Sequence, residues 1–264
     1  MKKFLVIGNP IEHSLSPKLH NYWIKKNKIN AIYEKKKLNQ NEIEKIISDV
    51  KDEKINGINV TVPFKKKVIP YLDQLTNRAK KTQSVNTIYL KNNETVGHNT
   101  DIEGFEDSIR YAKFDVKGKN IMILGAGGVV PSIIFALKNM GALSITISNR
   151  TQDKVENLKK IFESIKTIDW GNVPSVDMII NATSVGLNVE DRINLDFSKI
   201  QNKFFYDVIY NPSETNFLNT GKKFNNKTLN GKMMFIYQAF HAFKIWHNLS
   251  PKIDNEIIKL LDND

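Results

Sequence analysis

Ile121-Met122-Ile123-Leu124-Gly125-Ala126-Gly127-Gly128 is the stretch that decides the fold. Four apolar residues in a row read as a strand buried on both faces, and the glycines after it permit a turn too tight for side chains. Beyond the turn, Ile133, Ile134 and Leu137 recur at helical spacing, and Gly141 stands near the end of that helix. Strand, glycine turn and helix form the context in which a G-x-G-x-x-G pattern cradles a dinucleotide. Gly125 allows the tight turn, Gly127 lets the backbone approach a pyrophosphate, and the helix N-terminus offers free N–H groups. Gly125, Ala126, Gly127 and Gly128 are therefore candidate cofactor-binding residues. The third glycine position is Val130, so a structural turn in any α/β domain stays open as an alternative.

The end of the next strand bears on which dinucleotide. Residues 144–148 read as that strand, followed by Asn149-Arg150-Thr151 and, three residues on, Lys154. An NAD site usually offers Asp or Glu here to the ribose 2′-hydroxyl. No acid is present. Arginine, a threonine hydroxyl and lysine are the charge-assisted donors a 2′-phosphate needs, so NADP is favoured over NAD. A solvated strand end with chance basic residues is the alternative, weaker for Arg150 than for Lys154 in so lysine-rich a chain. Further along, Val155, Leu158, Ile161 and Phe162 form a helix face. Residues 177–180 and 204–207 are further buried strands, and residues 235–261 read as helical with a break at Asn248-Leu249-Ser250-Pro251.

The first hundred residues also alternate strand and helix, which makes an α/β domain. Residues 4–7 are a buried strand ended by Gly8-Asn9-Pro10. Ser16-Pro17 reads as a helix start with Ser16 as N-cap, and Leu19, Tyr22 and Trp23 share a face of that helix. Residues 31–33 are a second strand, and Ile43, Ile46, Ile47 and Val50 repeat at helical spacing. Residues 57–63 are strand-like and stopped by Pro63, and residues 68–75 read as a helix. Residues 86–90 and 95–97 flank Lys91-Asn92-Asn93-Glu94, a hairpin signal. The domain boundary falls near residues 101–118.

Composition narrows the function. The chain has 264 residues, long enough for one large or two ordinary domains, and 41% of them are hydrophobic, which excludes a wholly disordered chain. The absence of cysteine removes disulfides, thiolate zinc sites and cysteine nucleophiles. No apolar run approaches the roughly 20 residues of a membrane span, and the apolar N-terminal stretch is shorter than the roughly 7–15 residues of a secretory h-region. A soluble cytoplasmic protein is expected. The net charge of +11 invites nucleic acid. Yet the lysines are spread along the chain, with no zinc-finger spacing, basic heptads or aromatic RNA-binding signature, so no nucleic-acid partner is expected. Acids show no metal spacing, and no metal is expected.

The polar motifs then speak together. Ser14-Leu15-Ser16-Pro17, Asn59-Val60-Thr61-Val62-Pro63-Phe64-Lys65, Ser84-Val85-Asn86-Thr87 and Gly97-His98-Asn99-Thr100-Asp101 precede the glycine turn. Asn149-Arg150-Thr151, Asn181-Ala182-Thr183-Ser184-Val185-Gly186 and Gln238-Ala239-Phe240 follow it. In this order, from Gly8-Asn9-Pro10 to Trp246, the chain resembles the shikimate dehydrogenase family. The resemblance implies an α/β enzyme of two domains with the active site in the cleft between them. Residues 1–101, completed by C-terminal helices in 238–264, would be an αβα substrate domain with a mainly parallel sheet. Residues 102–237 would be a Rossmann-like NADP-binding domain.

The resemblance also implies reversible hydride transfer between NADPH and 3-dehydroshikimate, giving shikimate, a step toward chorismate and the aromatic amino acids. Ser14 and Ser16 match the pair that holds the substrate carboxylate, and Thr61, Asn86 and Gln238 match residues that bind its hydroxyls. Lys65 and Asp101 match the catalytic pair. Asn149, Arg150, Thr151 and Lys154 fall where the adenosine phosphate binds. Thr183, the segment containing Val208 and Tyr210, and Gly231 approach the nicotinamide side. Val130, Met233 and Ile102 depart from the family's usual small residues or glycine. The rival readings are a quinate/shikimate dehydrogenase of relaxed substrate or cofactor use and a dinucleotide-binding paralogue without turnover. The partner is a small molecule, with the oligomeric state left open and a homodimer one option.

The chemistry suits these residues. Ketone reduction puts negative charge on oxygen, and a lysine ammonium beside it can stabilise that charge and give the proton. Asp101 can orient both lysine and substrate, or instead cap the helix that follows it. Lys65 can equally be one of three solvated lysines, 65 to 67. In an extended segment Ser14 and Ser16 would point the same way. Asn59 and Thr61 share one strand face, and Asn86 can alternatively satisfy a turn. His13 and His20 read as surface or packing residues.

Overall fold

The apolar runs form two six-stranded sheets in a computed structural model that describes residues 1–262. The chain divides into two compact units, Met1–Gly104 with the segment from Ile236 onward, and Phe105–Phe235. Among the described residues no helix is long and apolar enough to cross a membrane.

In the first unit the chain runs β1 (Lys2–Gly8), α1 (Ser16–Lys26), β2 (Ala31–Lys37), α2 (Ile43–Lys51), β3 (Gly57–Val60), β4 (Gln74–Leu75), α3 (Asn77–Thr82), β5 (Thr87–Lys91), β6 (Glu94–His98) and α4 (Asp101–Tyr111), which crosses into the second unit. The sheet order is β2-β1-β3-β5-β6-β4, and only β5 runs antiparallel to its neighbours. The β5–β6 hairpin closes where expected because Asn92 and Asn93 both accept positive φ, 51° and 61°, as a type I′ turn demands.

Three local expectations fail here. Residues 68–75 are not a helix. After one turn at Ile69–Tyr71 the chain extends, because Asp73 accepts the Thr95 N–H at 2.8 Å and the Thr95 hydroxyl at 2.9 Å. That pins β4 alongside β6, and cross-strand pairing outweighs the helical pattern. The third strand stops at Val60, short of Pro63. Ser16 is the first residue of α1 rather than its cap. Leu15 is the cap, in αR conformation and with no side-chain bond, so the segment holding Ser14 and Ser16 is not extended. The Ser16 hydroxyl is thereby released from capping.

In the second unit the order is β7 (Asn120–Leu124), α5 (Val130–Asn139), β8 (Ser144–Ser148), α6 (Gln152–Ile161), β9 (Lys166–Ile168), β10 (Met178–Asn181), β11 (Phe204–Asp207), α7 (Asn216–Lys223) and β12 (Lys227–Leu229). The sheet is wholly parallel in the order β12-β11-β10-β7-β8-β9. Numbered from β7 this is 3-2-1-4-5-6, the doubly wound dinucleotide-binding arrangement, whose ligand crevice opens where the order reverses, between the first and fourth strands. Ile121, Met122, Ile123 and Leu124 are fully buried, each contributing on the order of 1.5–3 kcal/mol.

The chain returns through α8 (Lys232–His247), which begins three residues earlier than expected, and α9 (Asn255–Leu260). Over β1 and β3, Phe243, Trp246 and His247 meet Phe4, His20, Trp23 and Tyr33. A Cβ on Gly57 would strike the Trp246 indole, whose N–H reaches the Ile88 carbonyl at 3.1 Å. His20 is 1% exposed and stacks flat on Tyr33, centroids 4.2 Å apart. Burial holds His20 down to about 3 and His247 down to about 4. Both take up protons more readily unfolded than folded, so their contribution is intact above pH 6.5 and is lost as pH falls. Urea unfolding should therefore show stability dropping from pH 6.5 toward 4.5, by up to about 1.4 kcal/mol per pH unit for His20. His20→Phe should flatten that slope; an unchanged slope would show that His20 does not set it.

Candidate active site

In the first unit, strand polarity gathers the polar motifs at one edge. The C-terminal ends of β1 and β3 lie side by side, tied by Thr61 N–H to Ile7 O at 2.9 Å and Asn9 N–H to Val62 O at 3.0 Å. Because β5 is antiparallel to β3, its start at Asn86-Thr87 comes to the same edge, and β6 ends there at His98. Ser14, Ser16, Thr61, Lys65, Asn86 and Asp101 thus follow or precede strands at a single edge, where open α/β sheets bind ligands. Ser16 and Asn86 are buried, while Ser14 and Thr61 are half-buried. Gln238 is half-buried on α8, and His13 is exposed.

Lys65 Nζ lies 2.5 Å from Asp101 Oδ2, and Asn86 Nδ2 donates to Asp101 Oδ1 at 2.8 Å. The side chains of Lys65 and Asp101 are 16% and 8% exposed. Asp101 is the first residue of α4 and not its cap, and Asn99 Oδ1 accepts its N–H at 3.1 Å. A carboxylate at a helix N-terminus is favoured by the helix dipole. Of the three lysines, Lys66 and Lys67 are exposed, and Lys67 reaches Gln40. Asn86 does more than satisfy a turn. Its Oδ1 accepts the Thr100 N–H at 2.7 Å and the hydroxyls of Thr100 and Thr87 at 3.1 and 3.0 Å. A half-buried ammonium beside a fixed carboxylate can hold a proton where an oxygen gains charge.

In the second unit the glycine turn sits at the point where strand order reverses. Gly125 N–H bonds Ser148 O at 2.8 Å, joining the turn to the end of β8. Gly125 has φ +104°, and a Cβ there would lie 2.8 Å from Ala182 O. The chain's own backbone thus requires that glycine. It does not require the others: a Cβ on Gly127 would meet nothing nearer than 3.7 Å, and one on Gly128 nothing within 4 Å. Bare backbone facing open space at a helix start is what a pyrophosphate needs.

Asn149 is half-buried and bonds Thr151 O at 2.7 Å, while Arg150, Thr151 and Lys154 are exposed. The Arg150 guanidinium lies 6.0 Å from the Trp170 ring centroid. Among the described residues no carboxylate pairs with Arg150 or Lys154. These donors fit a phosphate on the ribose.

Thr183 is built into its own loop, donating to Asn181 Oδ1 at 2.7 Å and accepting the Val185 N–H at 3.0 Å. Asp207 is buried and accepts from Thr215, Asn181 and the Ile209 N–H at 2.6–3.1 Å, and burial pushes its carboxyl up. A side chain on Gly231 would run into the Val208 carbonyl. Tyr210 stacks on Phe235 at 4.7 Å, and burial lifts its phenol to about 12. The residues that depart from the family pattern are all core: Val130 and Ile102 are fully buried and Met233 is 4% exposed. Tyr33 and Asn59 escaped assignment although they are bonded into the site; the one sequence signal was a polar Asn59 inside the apolar run Ile58-Asn59-Val60.

A doubly wound dinucleotide unit and a second α/β unit carrying a lysine–carboxylate pair define a class, the dinucleotide-dependent oxidoreductases. Residues 6–88 match the shikimate dehydrogenase substrate binding domain, and residues 109–210 match shikimate / quinate 5-dehydrogenase. The chain is 60% identical to the shikimate dehydrogenase (NADP(+)) of Pelagibacter ubique, covering 99% of both chains. It resembles the crystal structure of shikimate dehydrogenase from Aquifex aeolicus, with TM-score 0.89 and 36% identity over 100% of this chain and 98% of that one. The Thermus thermophilus shikimate 5-dehydrogenase solved with NADP(H) and shikimate gives TM-score 0.90 and 26% identity, covering 99% of both. The chain belongs to the shikimate dehydrogenase family.

Proposed function

We propose that this chain catalyses the NADPH-dependent reversible reduction of 3-dehydroshikimate to shikimate. The observation that carries the reading is the Lys65–Asp101 pair, 2.5 Å apart and braced by Asn86 at the ligand-binding edge of its sheet. NADPH, when bound, supplies the hydride. Lys65 delivers the proton to the carbonyl oxygen and stabilises the charge that gathers there, and it takes the proton back in the reverse direction. Asp101 keeps the ammonium in place and accepts a hydrogen bond from the substrate hydroxyl. Ser14 and Ser16 receive the carboxylate, and Thr61, Asn86 and Gln238 the hydroxyls. Gly125, Ala126, Gly127 and Gly128 receive the pyrophosphate. Asn149, Arg150, Thr151 and Lys154 hold the 2′-phosphate, and Thr183, Val208, Tyr210 and Gly231 line the nicotinamide end. A cytoplasmic location goes with this reading.

Initial rates with shikimate and quinate, each with NADP and NAD, test it. Shikimate with NADP should give the highest kcat/KM; a higher value for quinate with NAD would overturn the assignment. Lys65→Ala should lower kcat by about 10²–10⁴ with little change in KM, and an unchanged kcat would remove Lys65 from the proton transfer. Arg150→Ala should raise KM for NADP by about tenfold or more and leave NAD nearly unaffected, since only the former carries the 2′-phosphate. Equal weakening of both would contradict the phosphate role.

A further inference from the structure

Past the ends of β8 and β9 the chain places an arginine beside a tryptophan. The two strands run parallel with Ser148 opposite Ile168. Arg150 and Trp170 each lie two residues beyond that pair, so the register carries both to the same level of the ligand edge. The Arg150 guanidinium sits over the Trp170 indole, 6.0 Å from the ring centroid. Trp170 is half-buried and packs, with Ile168 and Val173, against the core cluster that includes Val176 and Ile179. The indole is therefore the fixed partner, and the exposed arginine is the one it restrains.

An unheld arginine samples many rotamers, and fixing it on a ligand costs that freedom. The common restraint is a carboxylate, but a carboxylate neutralises the guanidinium and competes with an anionic ligand. Arg150 has no such partner among the described residues, and its contact is the indole. An aromatic face restrains a cation differently. Its quadrupole attracts the charge without neutralising it, and it offers no acid to compete for the N–H donors that a phosphate needs. Indole is the strongest of the aromatic rings in this role.

We infer that Trp170 is a positioning residue for the cofactor phosphate and a determinant of NADP over NAD: its indole holds the Arg150 guanidinium, still charged, where the 2′-phosphate arrives. This role presupposes that Arg150 binds that phosphate. NAD carries a hydroxyl at the same position and brings no charge for the held guanidinium to meet, so the indole favours one cofactor only. Without the ring, Arg150 stays charged but is free to turn into solvent, and the phosphate has to fix it.

The test is isothermal titration of the full chain with NADP and with NAD, on the wild type, Trp170→Leu, Trp170→Phe, Arg150→Ala and the double variant of Trp170→Leu with Arg150→Ala. Trp170→Leu should raise Kd for NADP about two- to fivefold, the range of a cation–π contact at an exposed site, and leave Kd for NAD unchanged. Trp170→Phe keeps a ring of weaker attraction and should lie between the wild type and Trp170→Leu. In the Arg150→Ala background Trp170→Leu should add nothing, because the cation it acts on is gone. Kd does not depend on the fraction of folded protein, so a partly unfolded preparation leaves the comparison intact. If Arg150→Ala weakens NADP and NAD equally, or weakens neither, the phosphate role of Arg150 fails and that of Trp170 falls with it. If Arg150→Ala weakens NADP selectively but Trp170→Leu does not, or Trp170→Leu weakens both cofactors equally, or its loss adds in full to that of Arg150→Ala, Trp170 has no positioning role and the role of Arg150 stands.

Discussion

The first unit depends on one buried amide. Asn86 is 3% exposed, and it bonds β3, β6 and the 98–101 turn of the substrate edge. Its N–H bonds the His98 carbonyl and its carbonyl accepts from Val60 N–H, which sets β3, β5 and β6 in register. Its side chain holds the Thr100 N–H and the Asp101 carboxylate. A buried polar group left unpaired costs about 1–3 kcal/mol. Moving the 98–101 turn would leave several such groups unpaired at once, so the turn has one low-energy position. The lysine inherits its place from that turn. The apolar core of Leu5, Ile7, Ile58, Val60 and Ile88 supplies the stability of the sheet, and the polar cluster at its edge supplies the geometry.

The second unit solves the same problem with a different amide. Asn181 ends β10 and Asp207 ends β11, and the two are bonded to each other and to the loops that follow them. Thr215 closes the cluster from the cap of α7. Burial makes the free carboxylate of Asp207 costly, and the three donors around it offset that cost. The loops that carry Thr183, Val208 and Tyr210 are therefore anchored at their roots while Gly127 and Gly128 leave the neighbouring turn bare.

How far this was legible follows from the range of each interaction. In the second unit β7, α5, β8, α6, β10 and β11 are legible because the central strands are apolar runs such as Ile121 to Leu124 and the turn needs glycine for local reasons, whereas β9 and β12, the short edge runs Lys166–Ile168 and Lys227–Leu229, and α7 carry no such signal. The hairpin at Asn92-Asn93 was legible for the same local cause. What misled was long-range. Asp73 and Thr95 convert a helical pattern at residues 68–75 into an extended edge strand, and nothing near Asp73 announces a partner 22 residues away. Ser16 looked like a cap because Ser-Pro usually is one; the actual helix starts a residue earlier and frees its hydroxyl. The motifs located Lys65, Asn86 and Asp101, but their mutual bonding depends on β5 running antiparallel, which no single motif states. Tyr33 carried no signal at all, since a tyrosine in a strand is ordinary until the sheet places Asn59 beside it.

The distribution of charge within the sites separates two kinds of basic residue in a chain with 39 lysines and arginines. Most of them face water, and pairs such as Lys51–Asp73 or Lys45–Asp49 on exposed surfaces are worth about 0–1 kcal/mol. Lys65 is different because it is half-buried and already compensated by Asp101. A ketone brings no charge of its own to neutralise the ammonium, so the protein must do so. Arg150 and Lys154 are the opposite case: exposed, and among the described residues joined to no carboxylate. A cation meant for a dianionic phosphate has to be left unpaired by the protein, since an internal acid would compete with the ligand. Compensation at Lys65 and its lack at Arg150 thus match the proton transfer and the phosphate binding proposed for them.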